Sequence, residues 1–120
     1  MPIHEKNLLF ATALISFFIA SFNVNAEYPE DDITVIIPYS AGGGFDSYVR
    51  GVLPAIQKYL PNRVNLIPRN MPGAGGRKGA TAIFRARPDG YTIGAFNLPG
   101  LLLPHLLEER VGYDLSQVSW

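Results

Sequence analysis

Ser40-Ala41-Gly42-Gly43-Gly44 stands after an apolar run and before a helical pattern, and Asn70-Met71-Pro72-Gly73-Ala74-Gly75-Gly76 is a second glycine-rich turn further on. A helix N-terminus carries unpaired N–H groups and a partial positive charge. Glycines let that backbone come close to a ligand, so the two together make an anion site without a basic side chain. The Ser40–Asp46 segment has this design, and Gly73–Gly79 has it less clearly. Phosphate, sulfate and carboxylate satisfy it equally. The plainer reading is that these glycines only make turns.

Spacing argues against nucleotides. An NTPase phosphate loop needs GxxxxGK[ST], but Lys78 stands five residues after Gly73 and Gly79 comes after it. A dinucleotide fingerprint needs GxGxxG. Ser47 occupies the third glycine's place after Gly42 and Gly44, and Lys78 occupies it after Gly73 and Gly75. Catalysis has little support. Outside the N-terminal segment His105 is the only histidine, set in an apolar run, and Ser40 and Ser47 have no base at a recognisable spacing. Asp46 suits a helix cap or a ligand contact, and Arg50 can pair with it across one turn. Arg69, Arg77, Arg85 and Arg87 read as a scattered, solvated set.

These loops need elements to hold them. Ile33–Ile37 is a β-branched run that fits a strand buried on both faces. Phe45, Val49, Val52, Leu53, Ile56 and Leu60 form a helical stripe. Pro54 lies inside it and predicts a kink or a two-part helix, which Pro61 closes. Val64–Ile67 reads as a second strand, Gly79–Ala86 as a helix and Tyr91–Phe96 as a third strand after the Pro88-Asp89-Gly90 turn. Leu101–Leu107 reads as a short helix, and Tyr113–Trp120 as a loop turning toward a fourth strand. The order predicts an α/β fold of parallel strands joined by right-handed crossovers, with the glycine loops at the strands' carboxyl ends, where ligands bind in open sheets.

The chain has 120 residues, 48% of them hydrophobic and 17% charged, which suits one globular domain at most. Ten basic residues balance ten acidic ones, so no basic excess points to a nucleic acid. The absence of cysteine excludes disulfides, thiolate metal sites and a thiol nucleophile. No metal site and no cofactor are expected. Leu8–Phe22 is uncharged and as a helix would span roughly 22 Å, short of the bilayer's hydrocarbon core of about 30 Å. Val24-Asn25-Ala26 follows as a cleavage signature, so residues 1–26 read as a secretory signal peptide cut after Ala26, with an uncleaved anchor as the alternative. Residues 27–120 keep nine charges of each sign.

Three motifs in order carry a resemblance: Ile36-Ile37-Pro38-Tyr39-Ser40-Ala41-Gly42-Gly43-Gly44-Phe45-Asp46, then Asn70–Gly76, then Pro88-Asp89-Gly90-Tyr91-Thr92-Ile93-Gly94. The stretch from Tyr28 to Trp120 resembles the extracytoplasmic solute receptors of the tripartite tricarboxylate transporter family, the Bug receptors. That resemblance implies a type II periplasmic binding protein, two α/β domains closing on a ligand, and not an enzyme. It implies a small carboxylate ligand, membrane transporter subunits as partners and a periplasmic location; a monomer is the expected state. In such receptors the first loop holds the ligand largely through backbone groups. Carried over, that loop is Tyr39 to Asp46. Tyr39 and Ser40 shape the pocket, Ala41 and Gly42 complete the turn, and Gly43 and Gly44 let N–H groups reach a carboxylate. Asp46 caps the helix or meets the ligand through water. Gly75, Gly76 and Asn97 follow in rank. Two departures stand out: Pro54 is unusual in the family's first helix, and family members are much longer. Residues 27–120 are therefore expected to be the N-terminal part of the first domain, with the second absent and weak or no binding by this piece alone.

Two other functions fit the same residues: a ligand-sensing receptor of this fold feeding a signalling partner, and a small α/β enzyme using the glycine loop as an oxyanion or phosphate site. The identity of the carboxylate is not encoded in a backbone-mediated loop.

Overall fold

The computed structural model describes residues 27–107 and 110–120. The expected leader, residues 1–26, and its expected cleavage site after Ala26 fall outside the described residues. Three strands, β1 (Ile33–Ile37), β2 (Leu66–Asn70) and β3 (Thr92–Gly94), and three helices, α1 (Gly44–Lys58), α2 (Arg77–Phe84) and α3 (Leu98–Leu106), alternate along the chain. Short 3₁₀ turns stand at Ala74–Gly76 and Leu115–Gln117. None of the described helices is long and apolar enough to cross a membrane.

The sheet is parallel throughout, in the order β2-β1-β3. β1 lies in the centre because its residues are apolar on both faces. Ile33, Val35 and Ile37 point to one side and pack with Val49 and Leu53 of α1 and with Leu66. Ile36 points to the other side, where α2 lies. Ile37 is fully buried, which stabilises the fold by about 1.5–3 kcal/mol. A second cluster of Ala80, Leu101 and Tyr113, with Phe84 and Phe96 against it, joins α2 to α3.

The predicted order of elements is borne out, and their edges move for identifiable reasons. β2 runs through Pro68 to Asn70, opposite Val35 and Ile37 of β1. Proline is tolerated there because β2 is an edge strand, with no partner to lose on its outer side. α1 is one continuous helix rather than two. Pro54 and Arg50 both lie on its exposed side, so the Arg50 carbonyl that loses its helical partner remains open to water. α2 starts earlier than expected, at Arg77, and α3 at Leu98, where Pro99 fits the first turn. Residues 115–117 form a 3₁₀ turn, with Asp114 accepting from the Ser116 N–H at 2.9 Å.

Candidate functional site

All three strands end at the same edge, and each leads through a loop into a helical turn. Hydrogen bonds continue past the strand ends, Met71 N–H to the Ile37 carbonyl at 2.8 Å and Ala95 N–H to the Ile36 carbonyl at 3.1 Å. The loops 38–43, 71–76 and 95–97 are thereby set side by side. The chain leaves β1 for β2 on one flank and returns for β3 on the other, so β1 and β3 enclose a topological switch point. Crevices at such points are where open α/β sheets bind ligands.

The helices entering this edge start without side-chain caps. Gly43 at the N-cap of α1 and Asn97 at the N-cap of α3 make no capping side-chain bond. The N–H groups of the first turn of α1 have no partner within the helix. Gly43, Gly44, Ser40 and Ala41 are all exposed, as is Asn97. Gly42 has φ +78°, a conformation that a side chain disfavours. In the second loop Gly73, Ala74, Gly75 and Gly76 all have positive φ, and holding Ala74 at +49° costs about 1–2 kcal/mol.

Tyr39 spans the three loops. Its ring stands edge-on to Phe45 with centroids 4.8 Å apart. Its hydroxyl lies 3.4 Å from where a Cβ on Gly76 would be and 3.7 Å from the same point on Gly100. Gly76 is buried beneath this contact, whereas Gly75 is exposed. α2 approaches just as closely: a Cβ on Gly79 would be 2.8 Å from Pro38 Cβ.

Asp46 is turned inward and is 3% exposed. Its carboxylate accepts from Gly42 N–H (2.8 Å), Arg50 Nε (2.9 Å) and Asn70 Nδ2 (2.8 Å). The Arg50 bond first, then those from Asn70 and Gly42, hold its pKa down at about 2. The predicted Asp46–Arg50 pair is thus present. Asn70 was not legible as part of the site. Its Nδ2 also donates to the Tyr39 carbonyl at 2.9 Å, and its Oδ1 accepts from Arg50 Nη2 at 2.8 Å. Only the register that sets Asn70 opposite Ile37 reveals this. Gly100 was likewise missed, since nothing local distinguishes it from a turn residue.

The other residues singled out in the sequence lie apart from this arrangement. Arg77 is half-buried, with Nε donating to the Ala74 carbonyl at 3.0 Å, so it is not part of a solvated set. His105 packs edge-on to Tyr113, centroids 5.6 Å apart. Among the described residues no three His, Cys, Asp or Glu side chains converge on a possible metal position.

A parallel sheet with helices opening at its carboxyl edge is an α/β domain, here with the architecture of part of a periplasmic binding protein. The fold matches a periplasmic transporter structure with a TM-score of 0.64 at 33% identity, over 72% of this chain and 29% of that one. It also matches the periplasmic binding protein BugD (TM-score 0.53, 36% identity, 56% and 22% covered). A TctC solute-binding protein from Polaromonas aligns with a TM-score of 0.53 at 40% identity, 57% and 23% covered. By sequence the chain is 33% identical to a UPF0065 protein of Agrobacterium vitis over 78% of this chain and 27% of that protein. It is 33% identical to BugT of Bordetella pertussis over 94% and 37%. The chain therefore spans about a quarter to a third of the length of these relatives. No family model matches. In sequence and fold the chain belongs with the Bug-type extracytoplasmic solute-binding receptors.

Proposed function

We propose that residues 27–120 form one wall of a periplasmic binding site for a small carboxylate, in a receptor that hands its ligand to the membrane subunits of a tripartite transporter. The observation that carries this reading is the exposed first turn of α1, which has a glycine at its N-cap and no side chain satisfying its donors. Such a terminus attracts an anion. Tyr39 and Phe45 form its apolar flank, Asn97 offers a free carboxamide from the third loop, and Gly75 lies exposed on the second. A second domain supplies the opposite wall, and residues 1–26 act as the export leader. No step of covalent chemistry is needed, so the protein acts as a binder.

Calorimetry on the complete protein with a panel of mono-, di- and tricarboxylates, plus inorganic phosphate and sulfate, tests this. Saturable binding of a carboxylate with no heat from phosphate supports the reading. Phosphate binding alone, or turnover of a phosphoester that disappears in Gly44→Val, would replace it with the enzyme reading.

A further inference from the structure

Asn70 ends β2, yet its side chain is spent on the loop that follows β1. One carboxamide makes three bonds there, two donated to the Tyr39 carbonyl and the Asp46 carboxylate and one accepted from Arg50. The Asp46 carboxylate in turn receives the Gly42 N–H. The chain of contacts runs Asn70, Asp46, Gly42, so the anion loop is gripped at Tyr39 and, through Asp46, at Gly42. Asn70 also opens the second glycine loop, since Met71 to Gly76 continues directly from it. The orientation of the amide is dictated by its partners: two acceptors need the NH₂ and the guanidinium needs the oxygen.

We propose that Asn70 is a positioning residue that fixes the anion loop after β1 relative to the glycine loop after β2, so that the backbone donors of α1 are held ready before a ligand arrives. This rests on the carboxylate-binding reading and deepens it. The side chain touches no ligand. It sets the conformation of Tyr39–Gly43, and through it the spacing between the exposed N–H groups of α1 and the loop ending at Gly76. Binding to a preorganised loop avoids the entropy of ordering it. Asn70→Asp keeps the shape but turns an oxygen toward two acceptors, and Asn70→Ala removes all three bonds.

The test uses the complete protein and reads hydrogen exchange and affinity together, with citrate and succinate as probes. In both variants, backbone exchange over residues 39–47 is expected to rise about tenfold or more while residues 49–58 stay within about twofold of the wild type. Affinity for whichever probe the wild type binds should fall about tenfold. Unchanged exchange over 39–47 overturns the clamp. Faster exchange with unchanged affinity overturns its role in positioning. If the wild type binds no carboxylate of the calorimetry panel but the loop exchange still rises, the clamp stands and the carboxylate reading fails. Should the variants not fold, the wild type decides by NMR: slowly exchanging Asn70 side-chain NH₂ protons support the clamp, and solvent-like exchange refutes it.

Discussion

The Gly42 N–H points at the Asp46 carboxylate, 2.8 Å away, so the loop after β1 folds back onto the third residue of the helix it introduces. That contact occupies one backbone donor of the loop and places a buried negative charge directly behind it. Arg50, at 2.9 Å from the same carboxylate, supplies the balancing charge. The conformation of the loop after β1 therefore depends on a buried ion pair at the start of α1.

Acid should loosen this loop in a defined window. The folded Asp46 pKa is about 2, below the ordinary 3.8. A depressed carboxyl stabilises the fold fully above its unfolded value, and that contribution is lost as pH falls through the folded value. Urea midpoints should therefore drop from about pH 4 to about pH 2 in the wild type. Asp46→Asn should be less stable at neutral pH and show a shallower drop. Some slope should persist, because hydrogen bonds from Ser116 also lower Asp114. An unaltered acid profile in Asp46→Asn would show that the group is not coupled to folding.

Gly42 and Gly44 should separate backbone strain from ligand access. Gly42→Ala meets no atom within 4 Å, but its φ is +78°, so it should cost about 1–2 kcal/mol in urea unfolding. Gly44→Ala also has open space around it and has no positive φ, so stability should hold within about 1 kcal/mol. Its added methyl stands at the first turn of α1, and carboxylate affinity of the complete protein should fall. Equal stability losses in the two variants would contradict this division.

Arg50→Gln leaves Asp46 charged with its ion-pair partner gone. Carboxylate affinity should fall, and the loss should shrink as salt rises from low to physiological ionic strength. Titration calorimetry at two salt concentrations measures both effects. A loss independent of salt would point to altered geometry rather than charge.

Gly79 tests the packing that holds the second loop. A side chain there meets Pro38 Cβ at 2.8 Å and Pro38 Cα at 3.0 Å, and neither backbone-fixed atom can swing away. Gly79→Ala should destabilise by about 1–3 kcal/mol. Thermal unfolding followed by circular dichroism measures it, and a neutral result would mean that α2 lies further from β1.

Much of this was legible locally. A β-branched run such as Ile33–Ile37 reads as a buried strand because its neighbours in sequence already exclude the alternatives. A glycine run before a helical stripe reads as an open N-terminus, and Asp46 with Arg50 reads as a pair because one helical turn fixes their distance. Elsewhere local rules misled. The second strand, expected over Val64–Ile67, runs on through Pro68 to Asn70, because its place on the sheet edge removes the penalty for a proline. The apolar stripe of α1 is a helical pattern in the sequence, but its burial is uneven: Val52 and Ile56 are 38% and 44% exposed beside Ile93, because α1 covers β1 and β2 and leaves the flank toward β3 open.

The sequence by itself determined the alternation of strands and helices, the glycine loops and the family likeness, since each depends on residues close together in the chain. Only the tertiary structure decided that Asn70 grips the loop after β1, that Tyr39 reaches Gly76 and Gly100, and that Asp46 faces inward. Those contacts join separate loops, and their distances are set by strand order and register, which no local stretch of sequence encodes.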